Sequence, residues 1–160
     1  PLPKNLRDNE AKPFNSAKQE KPTELDSPAK AQGGLLTTPD DLSKLTVEIM
    51  KAYKGESQIF SKELAYRLIT KELKLPFKFY NQTAYMGLGV LLIGKNENLA
   101  FLHNGYNSPG SAFIAIGFPE IGKGAMIASN SANGERLYIE VIATLSDNYK
   151  WPLGQFFKLR

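Results

Sequence analysis

The 160-residue chain has no cysteine, one histidine and one tryptophan. The missing cysteines exclude disulfides, thiolate metal sites and a cysteine nucleophile, and they leave the redox compartment open. One histidine among scattered carboxylates supplies no metal-ligand spacing, so neither metal nor cofactor is expected. Long apolar runs are lacking as well. The longest patch, Val90-Leu91-Leu92-Ile93, has the length of a strand and falls far short of the ~20 residues of a membrane span. Basic runs interleaved with aromatics are absent, and the net charge of +4 is spread along the chain, which argues against a nucleic-acid partner. The chain opens Pro1-Leu2-Pro3 with neither an initiator Met nor a signal peptide, a start that predicts polypeptide upstream. What is present has the composition of one globular domain, with 42% hydrophobic and 22% charged residues.

The text divides at about residue 33. Residues 1–33 are polar, carry charges of both signs and hold Pro1, Pro3, Pro13, Pro22 and Pro28, which forbid a long helix. They are expected to form an extended leader or a surface loop. Residues 34–152 carry the periodic apolar pattern, and 153–160 read as a tail. Thr38-Pro39-Asp40-Asp41 starts a helix, with Thr38 as cap, proline at the first helical position and two acids against the positive dipole end. Leu42, Leu45, Ile49, Met50 and Tyr53 mark its inner face, and Gly55 ends it. Ser61 caps a second helix with Leu64, Ala65, Leu68 and Ile69 inward, and Pro76 lies beyond its end.

Strand patterning follows. One strand is expected over Tyr85–Ile93, a second over Leu99–His103, a loop over Asn104–Gly110, a third strand over Ser111–Phe118 and a fourth over Gly124–Ser129. A last helix is expected from Glu135 to Tyr149, with Tyr138, Val141, Ile142, Leu145 and Tyr149 on one face and Trp151-Pro152 as its stop. Helices followed by a run of strands joined by short turns argue an α+β fold with an antiparallel meander.

Spacing alone offers little chemistry. Asp40 and Asp41 at a helix start serve the dipole rather than acid–base work. Ser27-Pro28-Ala29-Lys30 matches S-x-x-K, in which a lysine one turn on activates a serine. No apolar helical pattern surrounds it to position and desolvate the lysine, so the match reads as accidental. His103, alone on a strand end, reads as structural on spacing alone.

Three stretches together resemble the serine β-lactamase and penicillin-binding-protein superfamily, in its branch of class C β-lactamases, esterases and D-alanyl-D-alanine carboxypeptidases. Gly33-Gly34-Leu35-Leu36-Thr37-Thr38-Pro39-Asp40-Asp41-Leu42 is similar to the branch's A-G-L-x-T-T-P-x-D-L segment. Leu102-His103-Asn104-Gly105-Tyr106, with Asn107-Ser108-Pro109-Gly110 after it, resembles the H-x-G version of the third catalytic motif, with Leu102 where the branch usually has glycine. Met126-Ile127-Ala128-Ser129-Asn130-Ser131 is similar to the strand that leads into the C-terminal helix. Leu2-Pro3-Lys4-Asn5-Leu6-Arg7-Asp8-Asn9 is similar to a lead-in of the same branch.

The resemblance implies the C-terminal half of a β-lactamase or DD-peptidase-like fold. Its S-x-x-K nucleophile motif and its Y-x-N motif would lie upstream, since residues 1 to 36 contain no tyrosine. It implies a serine hydrolase that passes through an acyl-enzyme on β-lactam amides or on D-alanyl peptides and esters. The N-terminal half of the same protein would be its partner, and the periplasm or the cell exterior its location. The isolated chain would be inactive. By the same resemblance His103 lines the cleft, and the backbone N–H of Tyr106 is one oxyanion donor. Gly105 lets substrate lie close to the strand, Asn104 borders substrate, and Asn130 either contacts substrate or serves the turn at its strand end. An alternative is a non-catalytic module of this family that binds cell-wall peptide or a partner protein.

Overall fold

A computed structural model describes residues 3–22 and 33–152; the Ser27–Lys30 motif and the 153–160 tail lie outside the described residues. Helix α1 spans Pro39–Lys54 and α2 spans Lys62–Leu68. Six strands follow, β1 (Leu73–Phe79), β2 (Gln82–Met86), β3 (Leu91–Ile93), β4 (Ala100–Asn107), β5 (Ser111–Phe118) and β6 (Lys123–Ser129), and then helix α3 (Gly134–Tyr149). The strands form one antiparallel sheet in chain order, so the fold is α+β with a meander.

The helix ends follow from local chemistry. The Thr38 hydroxyl accepts from the Asp41 N–H at 3.1 Å, and Gly55 takes the left-handed conformation at φ +81° that closes α1. The Ser61 hydroxyl caps α2 by accepting from the Leu64 N–H at 3.1 Å. The sheet is covered on both faces. On one, α3 packs Tyr138, Ile139 and Ile142 against Leu102, Ile114, Ile116 and Phe118. On the other, Ile49 and Met50 of α1 and Ile69 at the end of α2 close over Leu92 and Phe101. Leu102, in place of the resemblance's glycine, is fully buried in the α3-side core and fits its strand.

The structure corrects several expectations. Six strands stand where four were expected. Pro76 lies beyond the end of α2 as expected, but inside a strand that was not expected, β1, at the edge of the sheet, where the register shifts between Lys74 and Lys78. A proline lacks the donor that a central strand needs, so an irregular edge accommodates it. The single strand expected over Tyr85–Ile93 is two, β2 and β3, because the Gly87 N–H donates to Val90 O at 2.9 Å and turns the chain between them. The loop expected over Asn104–Gly110 is half strand, since β4 pairs with β5 as far as Asn107↔Ser111. In α1 the buried face takes in Thr46 while Leu45 is exposed; in α3 it takes in Ile139 and Ser146 while Tyr149 is exposed.

The leader also has structure. Lys4–Asn9 is a 3-10 turn, and Phe14 bridges Glu20 in a small hairpin. Phe14 docks beyond β6: its N–H donates to Asn130 O at 2.7 Å, and its carbonyl accepts from the Ala132 N–H at 2.8 Å. Gly110, at the β4–β5 hairpin, leaves no room for a Cβ against the Phe14 carbonyl. Residues 12–14 are thereby held to the rim where β4 ends, β5 begins and β6 ends.

Candidate functional site

Four of the five candidate residues, His103, Asn104, Gly105 and Tyr106, lie on β4, whose two sides are paired unequally. Towards β5 the ladder runs from Phe101 to Asn107. Towards β3 it covers Ala100, Phe101 and Leu102 alone. From His103 to Asn107 the outer border of β4 therefore pairs with no strand among the described residues. In an antiparallel strand alternate residues direct both backbone groups to one side, so part of this stretch offers N–H and C=O groups to an extended ligand.

The open stretch is bounded at both ends. His103 Nδ1 lies 3.1 Å from the carbonyl of Gly89, in the turn between β2 and β3. The Asn107 amide donates to the Gly33 carbonyl at 3.1 Å, which brings the start of the Gly33–Leu42 segment beside the end of β4. Leu35, in that segment, is 75% exposed.

Strand alternation sorts the candidates by face. His103 and Gly105 share the α1 side, where the Phe113 ring lies 5.9 Å from the His103 ring with 18° between their planes. A Cβ at Gly105 would stand 2.5 Å from Cε1 of Phe113, so any side chain at 105 has to displace this ring whether or not a ligand lies there. Phe113 is the register partner of Gly105, a role the sequence pattern did not single out. Asn104 lies on the opposite face. It is half-buried, and its amide donates to the Tyr138 hydroxyl at 3.5 Å, so it stands apart from His103. Burial pushes the Tyr138 phenol up, and likewise that of Tyr80, whose hydroxyl donates to Glu135 at 3.4 Å. Tyr106 is exposed near the strand end. The Asn130 amide, two strands away on the same rim, donates to the Lys12 carbonyl at 2.7 Å and ties down the leader.

Among the described residues no group of three or more His, Asp or Glu side chains could hold a metal, and no helix is long and apolar enough to cross a membrane. The site therefore consists of a half-open strand edge, one imidazole clamped beside it and a glycine under an aromatic ring.

Comparison places this architecture. The chain superposes on a solved structure of the octameric penicillin-binding protein homologue from Pyrococcus abyssi with a TM-score of 0.68 and 20% sequence identity, over 87% of this chain and 30% of that one. The fold is thus that of a penicillin-binding-protein-like α+β domain, and the chain spans about a third of the length of the solved relative. No family model and no curated protein matches the sequence.

Proposed function

We propose that this chain is the C-terminal portion of a serine β-lactamase-like hydrolase that acts through an acyl-enzyme on β-lactam amides or on D-alanyl peptides and esters. The observation that carries the reading is the half-paired β4, with His103, Gly105 and Tyr106 along its open stretch in a penicillin-binding-protein-like fold. In this reading the acyl group lies along that edge, with the Tyr106 backbone N–H as one oxyanion donor. The serine and its lysine, the second donor and the Y-x-N motif come from the N-terminal half, and the complete protein works in the periplasm or outside the cell. Loss of one oxyanion donor costs about 3 kcal/mol of transition-state stabilisation, so this half alone is a poor catalyst even apart from the missing nucleophile.

The sheet borders support a missing partner. The β1 border carries Lys74, Pro76, Lys78 and a register shift, the devices that discourage strand addition. The β6 border, Lys123-Gly124-Ala125-Met126-Ile127-Ala128-Ser129, has a single charge at its first residue, no proline and unbroken register with β5. One border is guarded and the other is fit to receive a strand.

The test joins this chain to upstream polypeptide that contains S-x-x-K and Y-x-N and follows nitrocefin by colour and by intact mass. The joined protein is expected to turn nitrocefin over and to carry a transient acyl adduct on the upstream serine. The isolated chain is expected to carry none. An adduct on any serine of this chain refutes the assignment, and a well-folded joined protein that binds but never acylates supports the non-catalytic alternative.

A further inference from the structure

We propose that the Gly89 carbonyl is a positioning group that holds His103 in its Nδ1–H tautomer, so that Nε2 presents a lone pair along the open stretch of β4. A carbonyl oxygen only accepts, so the ring nitrogen 3.1 Å from it is the one that carries the proton. In a neutral imidazole the other nitrogen is then the acceptor. Two neighbours border the ring. One edge is held by Gly89, and Phe113 lies near-parallel at 5.9 Å.

The turn that aims the carbonyl is itself well held. The Gly89 N–H donates to Gly87 O at 3.0 Å, and the Leu88 N–H donates to Leu68 O at 3.1 Å, which ties the turn to the end of α2. Gly87 packs so closely on the Leu68 carbonyl that a Cβ has no room there. Gly89 stands at φ +81°, and a Cβ added to it meets nothing within 4 Å. What position 89 requires is therefore a left-handed backbone rather than space, and glycine adopts that backbone without steric cost.

A lone pair at Nε2 sorts ligands by chemistry. It accepts from an N–H or O–H of whatever lies along β4, and it opposes a carboxylate. A lysine at the same place, with three donors and no acceptor, would do the reverse. Calling that ligand a substrate rests on the proposed hydrolase. The tautomer is a property of this chain alone, so either claim can fail while the other stands.

His103 is the only histidine, so a long-range 1H–15N spectrum of the labelled chain contains one imidazole. With the ring neutral, at alkaline pH, Nδ1 is expected at the shift of a protonated ring nitrogen and Nε2 at that of an unprotonated one. The reverse pattern, or rapid averaging of the two, overturns the proposal. Gly89→Val places a β-branched residue at positive φ and should move the carbonyl, with loss of the fixed pattern towards averaging. Gly89→Asn, which tolerates that backbone, should retain it. A folded Gly89→Val chain with an unchanged pattern removes Gly89 from the role. Should Gly89→Val not fold, Gly89→Ala and the unsubstituted chain decide on the same criteria.

Discussion

Two glycines on neighbouring strands do the same work in opposite directions. Gly105 of β4 faces Phe113 of β5, and Gly117 of β5 faces Phe101 of β4; each pair is in register. In both, an aromatic ring lies over a position that has no side chain, covering backbone a larger residue would displace. A Cβ at Gly105 would stand 2.5 Å from Phe113 Cε1; at Gly117 it would stand 2.5 Å from Phe101 Cζ and 3.2 Å from Thr46 Cγ2 of α1. The difference lies in what the rings can do about it. Phe113 is half-buried and can swing outward, whereas Phe101 is 3% exposed and pinned beneath α1. Overpacking costs about 1–3 kcal/mol. Gly117→Ala is therefore expected near or above the top of that range and Gly105→Ala near the bottom, as read from urea midpoints at constant slope. Phe113→Leu combined with Gly105→Ala should recover part of the loss, because residues in contact are not additive. Equal costs at the two glycines, or strict additivity, would show that these rings do not set the glycine requirement.

The start of α1 shows how far local sequence reaches. Thr38, Pro39, Asp40 and Asp41 each act within one turn, and the helix begins where they place it. Lys44 lies 2.9 Å from Asp40 and 2.8 Å from Asp41. The hydrogen bond from Lys44, and then that with Thr38, holds the Asp41 carboxyl below its ordinary range. A lowered value favours the charged form in the folded chain. Its contribution is present above the ordinary value of 3.8 and fades as the pH falls through the lower, folded-state value. Thr38→Ala should cost about 1 kcal/mol at neutral pH. Asp41→Asn should flatten the acid limb of the stability curve relative to the unsubstituted chain, with chemical denaturation at successive pH values as the measurement. The same local legibility covers Gly55, Ser61, strand β5 and nearly all of α3. It fails where a residue's role depends on distant chain. Leu73-Lys74-Leu75-Pro76-Phe77-Lys78-Phe79 reads as broken and charged, yet it is a strand because β2 pairs with it. The β2–β3 turn hides in a run of apolar residues, since Gly87 and Gly89 alone interrupt Tyr85–Ile93. His103 could be picked out by its motif, but Gly89, Phe113 and Lys12 enter the site region through contacts that no spacing rule encodes.

At the scale of the whole molecule, the sheet is a meander whose neighbours in space are neighbours in sequence, so most of its ladder closes through short connections. Both faces have helices over them, and among the described residues no strand pairs with the open stretch of β4 or with the outer side of β6. These differ in kind. The β4 stretch lies beside an exposed imidazole and suits a short extended ligand. The β6 border is seven residues long, apolar along its middle and half-buried at most of its side chains, unlike the almost wholly buried β5 next to it. If a strand of the N-terminal half pairs there, outward-facing amides of Lys123–Ser129 gain hydrogen bonds that no described strand gives them. Opening energies for those amides should then rise towards the global value, since a central strand opens only with the whole sheet. Amides of β1, guarded by Pro76 and two lysines, should gain only what global stabilisation gives every residue. Hydrogen exchange on the isolated and the joined protein tests this directly. Alternate amides of β6 are expected to slow by orders of magnitude more than those of Leu73–Phe79. Uniform slowing across both borders would mean that the two halves meet elsewhere, most simply over α1, where Leu45 and Val47 stand exposed. Slowing confined to β1 would reverse the assignment of which border is left open for a partner.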